Sequence, residues 1–118
     1  MRHQPNGVLI VEDEPMISMM IEDMALNLGW QIVASVHTER DALRVLEERI
    51  PAAAILDLKL GSSLSLPVAA ACRRQNVPVI FITGYSLVDL PPECAGAPVL
   101  NKPFSQSDLN TALQQITR

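Results

Sequence analysis

The sequence predicts an α/β domain: a doubly wound, five-stranded parallel sheet with helices on both faces. Three observations predict it. Short runs of consecutive apolar, β-branched residues recur without polar alternation, which is the pattern of strands buried on both sides. Between them lie segments with apolar residues at helical spacing, and strand–helix alternation of this kind makes a parallel sheet with right-handed crossovers. The 118 residues are 48% hydrophobic and 19% charged, enough apolar material for one core and too much for a disordered chain. Residues 1–118 are therefore expected to form a single domain.

Taken in order, Val8-Leu9-Ile10-Val11 reads as the first strand. Pro15 suits the first position of the following helix. There Ile17, Met20, Ile21, Met24 and Leu28 make an inward stripe, and Gly29 ends it. Residues 32–36 make a second strand. Thr38, with Asp41 three residues on, caps a second helix. Ala42, Val45, Leu46 and Ile50 form its buried stripe, and Pro51 stops it. Ala53-Ala54-Ile55-Leu56 is the third strand, and a third helix runs from about Pro67 to Gln75. Val79-Ile80-Phe81-Ile82 is the fourth strand and residues 98–100 a short fifth. The last helix opens at Ser105, with Asp108 in the capping-box position, and buries Leu109, Ala112, Leu113 and Ile116. Residues 85–97 contain Pro91, Pro92 and Gly96, so only a short or distorted fourth helix is predicted there.

Five such strands suit the order 2-1-3-4-5, in which ligands bind beyond the C-terminal strand ends at the switch point between strands one and three. The residues predicted at those ends are Glu12, Asp13 and Glu14, then Asp57, then Thr83 and Gly84, then Asn101 and Lys102. Two carboxylates about 4–5 Å apart repel by roughly 3–4 kcal/mol at an effective dielectric near 20. A cluster of Glu12, Asp13 and Asp57 therefore requires either raised pKa values or a cation among the carboxylates. Oxygen-only ligands suit a hard divalent ion such as Mg²⁺. A carboxylate nucleophile, a divalent ion, a hydroxyl and a lysine together make a plausible phosphoryl-transfer site.

Four motifs occupy these ends: Val11-Glu12-Asp13-Glu14, Ile55-Leu56-Asp57, Ile82-Thr83-Gly84 and Asn101-Lys102-Pro103-Phe104. Each is weak alone; in this order, the set resembles the receiver domain of bacterial two-component response regulators from residue 8 to about residue 116. The resemblance implies a flavodoxin-like fold. It also implies that Asp57 accepts a phosphoryl group from a histidine kinase or histidine phosphotransfer protein. Glu12, Asp13, Asp57 and the backbone carbonyl of Lys59 would organise Mg²⁺, while Thr83 and Lys102 would bind the incoming phosphoryl group and drive a switch. Such a domain is a phosphoacceptor rather than an enzyme. Two features depart from the common pattern. Gly61 replaces a usual proline in the loop after Asp57, which is expected to loosen that loop, and Val99 replaces a usual aromatic residue on the fifth strand. Tyr85 is then the candidate switch aromatic. The stretch from Pro78 to Tyr85 resembles a receiver subgroup with a Pro-Phe-x-Phe-Ala-Thr-Gly signature and an atypical fourth helix, with Val79 and Ile82 departing from that signature.

Partners and location follow from composition. Nine Lys and Arg against 13 Asp and Glu give a net charge of −4 with no basic run, which argues against a grip on nucleic acid. No apolar stretch approaches the roughly 20 residues of a membrane span, and the polar start with an apolar run ending at Glu12 does not read as a signal peptide. Two cysteines, Cys72 and Cys94, are too few for a disulfide framework. A cytoplasmic protein, monomeric or weakly dimeric, is expected. Met16, Met19 and Leu26 fall opposite the inward stripe of the first helix and suit an adaptable docking surface. With no output domain expected after Arg118, output would run through protein contact, as relay, phosphate sink or phosphorylation-dependent binding of a protein target. His3 and His37 show no partner pattern. Two rival readings are a degenerate receiver acting as a constitutive binding module and an aspartate-based phosphohydrolase. The second rival would place a further aspartate where Lys59 stands.

Overall fold

In the computed structural model, which describes residues 2–84 and 90–117, five parallel strands form one sheet. The strands and helices in chain order are β1 (Arg2–Val11), α1 (Pro15–Asn27), β2 (Gln31–Val36), α2 (Glu39–Glu48) and β3 (Arg49–Asp57). They continue with β4 (Lys59–Leu60), β5 (Ser63–Leu64), α3 (Leu66–Arg74), β6 (Val79–Thr83), β7 (Val99–Asn101) and α4 (Gln106–Ile116). The sheet order is β2-β1-β3-β6-β7, and β4 and β5 form a separate antiparallel hairpin. Leaving that hairpin aside, this is the order 2-1-3-4-5, the flavodoxin-like arrangement the sequence predicts.

The sheet separates two apolar layers. Leu9, Val11, Leu56 and Phe81 point into one, under α2 and α3; Val8, Ile10, Ile55 and Ile82 point into the other, under α1 and α4. Alternation along each strand between two buried layers explains why these strands read as continuous apolar runs.

Local signals set most helix ends. Gly29, at φ +91°, ends α1: its N–H donates to Leu26 O, and Trp30 N–H donates back to Ala25 O. That pair of bonds is a Schellman motif, which needs a residue at positive φ and so favours glycine. Asp41 N–H donates to Thr38 Oγ1 at 3.1 Å to cap α2. At α4, Ser105 and Asp108 form the reciprocal capping box at 3.0 Å in each direction.

One boundary and one face differ from the sequence reading. Ile50 does not extend α2. Residues Arg49, Ile50 and Pro51 instead open β3 and pair with Arg2, His3 and Gln4 of a longer β1, with a register shift between Gln4 and Val8. A residue before proline is biased towards extended backbone, and here that bias outweighs the helical spacing. On α1, Ile17, Met24 and Leu28 pack half-buried against the core as expected, but the fully buried residues are Ser18, Ile21 and Ala25, and Met20 is exposed. Small side chains let the helix approach the sheet, where Ser18 Oγ lies 2.7 Å from Ser35 Oγ. Between β6 and β7 the described residues hold only a 3-10 turn at Pro92–Cys94. Residues 85–89, including the switch candidate Tyr85, lie outside the described residues.

Candidate functional site

The site lies where β1 separates its neighbours β2 and β3. Past Val11 the chain leaves the sheet, carrying Glu12 and Asp13 over the strand ends. Asp57 is the last residue of β3, paired with Ile82 of β6. Lys102 follows β7, and its N–H donates to Thr83 O at 2.9 Å. Four separated segments thus deliver their polar residues to one edge.

Lys102 organises the cluster. Its Nζ lies 2.9 Å from Glu12 Oε1, 3.0 Å from Asp57 Oδ2 and 3.9 Å from Glu14 Oε1. Asp57 Oδ1 accepts from Lys59 N–H at 3.3 Å, so both oxygens of Asp57 are oriented. Glu12 Oε2 accepts from Glu14 N–H at 3.1 Å, and Asp13 Oδ2 from Gly61 N–H at 2.9 Å. Gly61 sits at φ +61° in the turn of the β4–β5 hairpin. A proline there would have neither this φ nor an N–H. Gly61, Lys59, Gly84 and Lys102 join Asp13, Glu14 and Asp57 around a cavity of about 340 Å³. Thr83 is buried one residue before Gly84 at the same edge.

The electrostatics follow from burial. Glu12 has no exposed surface, and burial pushes its carboxyl from 4.5 up to about 7 despite the neighbouring ammonium, with Asp57 adding to the rise. Asp13 is only partly covered. Burial would raise it, but the Gly61 N–H and other hydrogen bonds prevail and hold it below the ordinary range. Lys102 is held above its usual value: burial opposes its charge, and hydrogen bonds to Glu12 and Asp57 outweigh that.

This charge balance suits a cation. One donor oxygen from each of Glu12, Asp13 and Asp57 lies within 4.8 Å of the others. Glu12 Oε1 is buried without a well-aligned hydrogen bond, although the ammonium is 2.9 Å away. An all-oxygen set of three carboxylates that faces a single ammonium fits a hard divalent ion such as Mg²⁺.

The structure brings Glu12, Asp13, Asp57 and Lys102 together, with Lys59 and Thr83 beside them. Met16, Met19 and Leu26 are not part of this cluster. They lie on α1, 84%, 63% and 54% exposed. Sequence reasoning missed two contacts. The Gly61 N–H holding Asp13 had no signal, because it is a backbone group placed by a hairpin turn and not by a strand end. His37, which read as incidental, places Nδ1 2.8 Å from Glu12 O.

A doubly wound α/β domain with carboxylates at its switch point, closed by a lysine just past the last strand, defines the class of signalling receivers. The chain belongs to the response regulator receiver domain family, whose model matches residues 8–114, and it is a receiver domain of two-component regulation. It is 30% identical over 114 residues to the transcriptional regulatory protein PdtaR of Mycobacterium tuberculosis, covering 93% of this chain and 56% of that protein. It is 32% identical to the phyllosphere-induced regulator PhyR of Methylorubrum extorquens, covering 92% of this chain and 42% of that protein. The chain therefore spans about half the length of these curated relatives. Among solved structures, SdrG from Sphingomonas melonis Fr1 is 38% identical at a TM-score of 0.85, covering 96% of this chain and 97% of that one. A BeF3-activated conformation of SdrG matches at 37% identity and a TM-score of 0.84. No helix among the described residues is long and apolar enough to cross a membrane.

Proposed function

We propose that this chain accepts one phosphoryl group on Asp57 from the phosphohistidine of a histidine kinase or histidine phosphotransfer protein. The carrying observation is the Asp57 carboxylate fixed between Lys102 Nζ at 3.0 Å and Lys59 N–H at 3.3 Å, inside a cluster with Glu12 and Asp13. An Asp57 oxygen attacks phosphorus as the donor's P–N bond breaks, and the leaving imidazole takes up a proton. Lys102 neutralises a phosphoryl oxygen, and the Thr83 hydroxyl at the adjoining strand end receives another. Mg²⁺, held by Glu12, Asp13, Asp57 and the Lys59 carbonyl, would supply the remaining charge neutralisation.

The chain is a single domain over residues 1–118 that passes its signal through protein contact and does not turn over a separate substrate. The phosphodonor docks on the exposed α1 face of Met16, Met19 and Leu26, which leads towards Glu14 at the mouth of the cavity. That face carries no basic residue, so a partner with apolar and basic side chains complements it. The solved BeF3-activated conformation of SdrG, 37% identical to this chain, supports the reading that such a receiver has an activated state. We place the protein in the cytoplasm, bound to neither nucleic acid nor membrane.

The test is mass measurement of the intact protein after incubation with acetyl phosphate. One phosphoryl group is expected with Mg²⁺, and none with a chelator or in Asp57→Asn. Labelling of Asp57→Asn at the wild-type level would contradict the assignment.

A further inference from the structure

His37 stands just past the end of β2 and contributes no carboxylate, yet its ring touches the chain at the centre of the cluster. Glu12 N–H donates to Val36 O at 3.1 Å, as the last rung between β1 and β2. In a ladder one step longer, the Glu12 carbonyl would accept from a backbone N–H two residues on. The chain leaves the sheet there instead, with Thr38 as the N-cap of α2, which begins at Glu39. The His37 ring takes the missing donor's place, with Nδ1 2.8 Å from Glu12 O. A carbonyl oxygen can only accept, so Nδ1 carries the proton in this contact.

The bond matters because of where that carbonyl is. The peptide joining Glu12 and Asp13 is planar, so its carbonyl oxygen and both flanking Cα atoms move as one unit, and a bond to the oxygen restrains them together. These two residues supply two of the three clustered carboxylates. Val36 O holds one side of Glu12 and His37 the other, while Gly61 N–H holds the Asp13 carboxylate at 2.9 Å.

We propose that His37 is a positioning residue of this site: its Nδ1–H, bonded to the Glu12 carbonyl, orients the Glu12–Asp13 peptide so that both carboxylates can bind one divalent cation. The proposal rests on the phosphoacceptor reading above. It requires no contact between His37 and the ion or the phosphoryl group. It also requires the donor to be kept: asparagine, whose Nδ2 stands about where the imidazole Nδ1 does, should replace it, and alanine should not.

The test is an NMR titration of wild type, His37→Ala and His37→Asn with MgCl₂, following the amides of residues 12, 13 and 57. Each variant is checked for a folded spectrum and a thermal midpoint. Removing a group that orients ligating residues commonly weakens metal binding by about tenfold or more. His37→Ala is expected to bind Mg²⁺ about tenfold more weakly, with His37→Asn within about twofold of wild type. The wild-type imidazole is expected to show the Nδ1–H tautomer in its ¹⁵N spectrum. Equal Mg²⁺ affinity in wild type and His37→Ala overturns the proposal. So does His37→Asn binding as weakly as His37→Ala, or an Nε2–H tautomer in the wild type. A purely structural role would lower the thermal midpoint and leave Mg²⁺ affinity unchanged. If His37→Ala fails to fold, His37→Asn and the tautomer still decide. A wild type that shows no Mg²⁺ response at these amides overturns the phosphoacceptor reading itself, and this proposal with it.

Discussion

At the scale of single residues, Glu12 and Lys102 are tied together at 2.9 Å but respond oppositely to burial. Burial raises the Glu12 carboxyl from 4.5 to about 7, and it opposes the charge of Lys102. A carboxyl whose folded pKa lies above its unfolded value stabilises the fold below the unfolded value and loses that contribution as pH rises through the folded one. Metal-free protein should therefore lose stability between pH 4.5 and about 7 from this group. The Glu12 carboxyl carbon should titrate with a midpoint near 7 by ¹³C NMR. Mg²⁺ favours the charged form, so its addition should lower that midpoint, and binding should release protons. A Glu12 midpoint near 4.5 without metal would contradict the burial account. Lys102 is the other residue-scale test. Lys102→Met keeps the length of the side chain and removes its charge, and should slow acetyl-phosphate labelling of Asp57 by about 100-fold, the usual effect of losing one transition-state contact. A labelling rate within a few fold of wild type would remove Lys102 from the chemistry.

At the scale of elements, the sequence made most of the fold readable because local chemistry and tertiary packing agree. Gly29, Thr38, Ser105 and Asp108 each act as an end signal where the chain shows one. Ser105→Ala should cost about 1 kcal/mol, as typical for an N-cap, measured by urea unfolding; a change below a few tenths would mean that α4 is held by packing alone. Where local signals competed, spacing misled. Ile50 sits at the right interval for the α2 stripe, but the following Pro51 and the partner residues 2–4 draw it into β3. Met20 fits the α1 stripe as well as Ser18 does, and only the Ser18–Ser35 contact reveals which face approaches the sheet. The β4–β5 hairpin was invisible because it comprises two-residue strands around one glycine, too short for any periodicity.

At the scale of the whole molecule, the site was legible as a set of strand ends and illegible as a set of backbone contacts. Glu12, Asp57 and Thr83 each terminate an apolar run, Lys102 follows another with Asn101 between, and parallel topology brings such ends to one edge. The Gly61 N–H on Asp13 and the His37 ring on Glu12 depend on loop paths that no spacing encodes. The candidate site therefore consists of side chains that the sheet delivers and backbone groups that the loops add around them.

The measurement that tests the central claim most directly is a ¹H–¹⁵N NMR titration of the wild-type chain, first with MgCl₂ and then with beryllofluoride as a phosphoryl mimic. The account predicts saturable shifts centred on the amides of residues 12, 13, 57 and 59, followed by a second, Mg²⁺-dependent set on adding beryllofluoride that reaches residues 83 and 102 and is absent from Asp57→Asn. Shifts scattered over surface carboxylates without saturation, or a beryllofluoride response that survives Asp57→Asn, would contradict it.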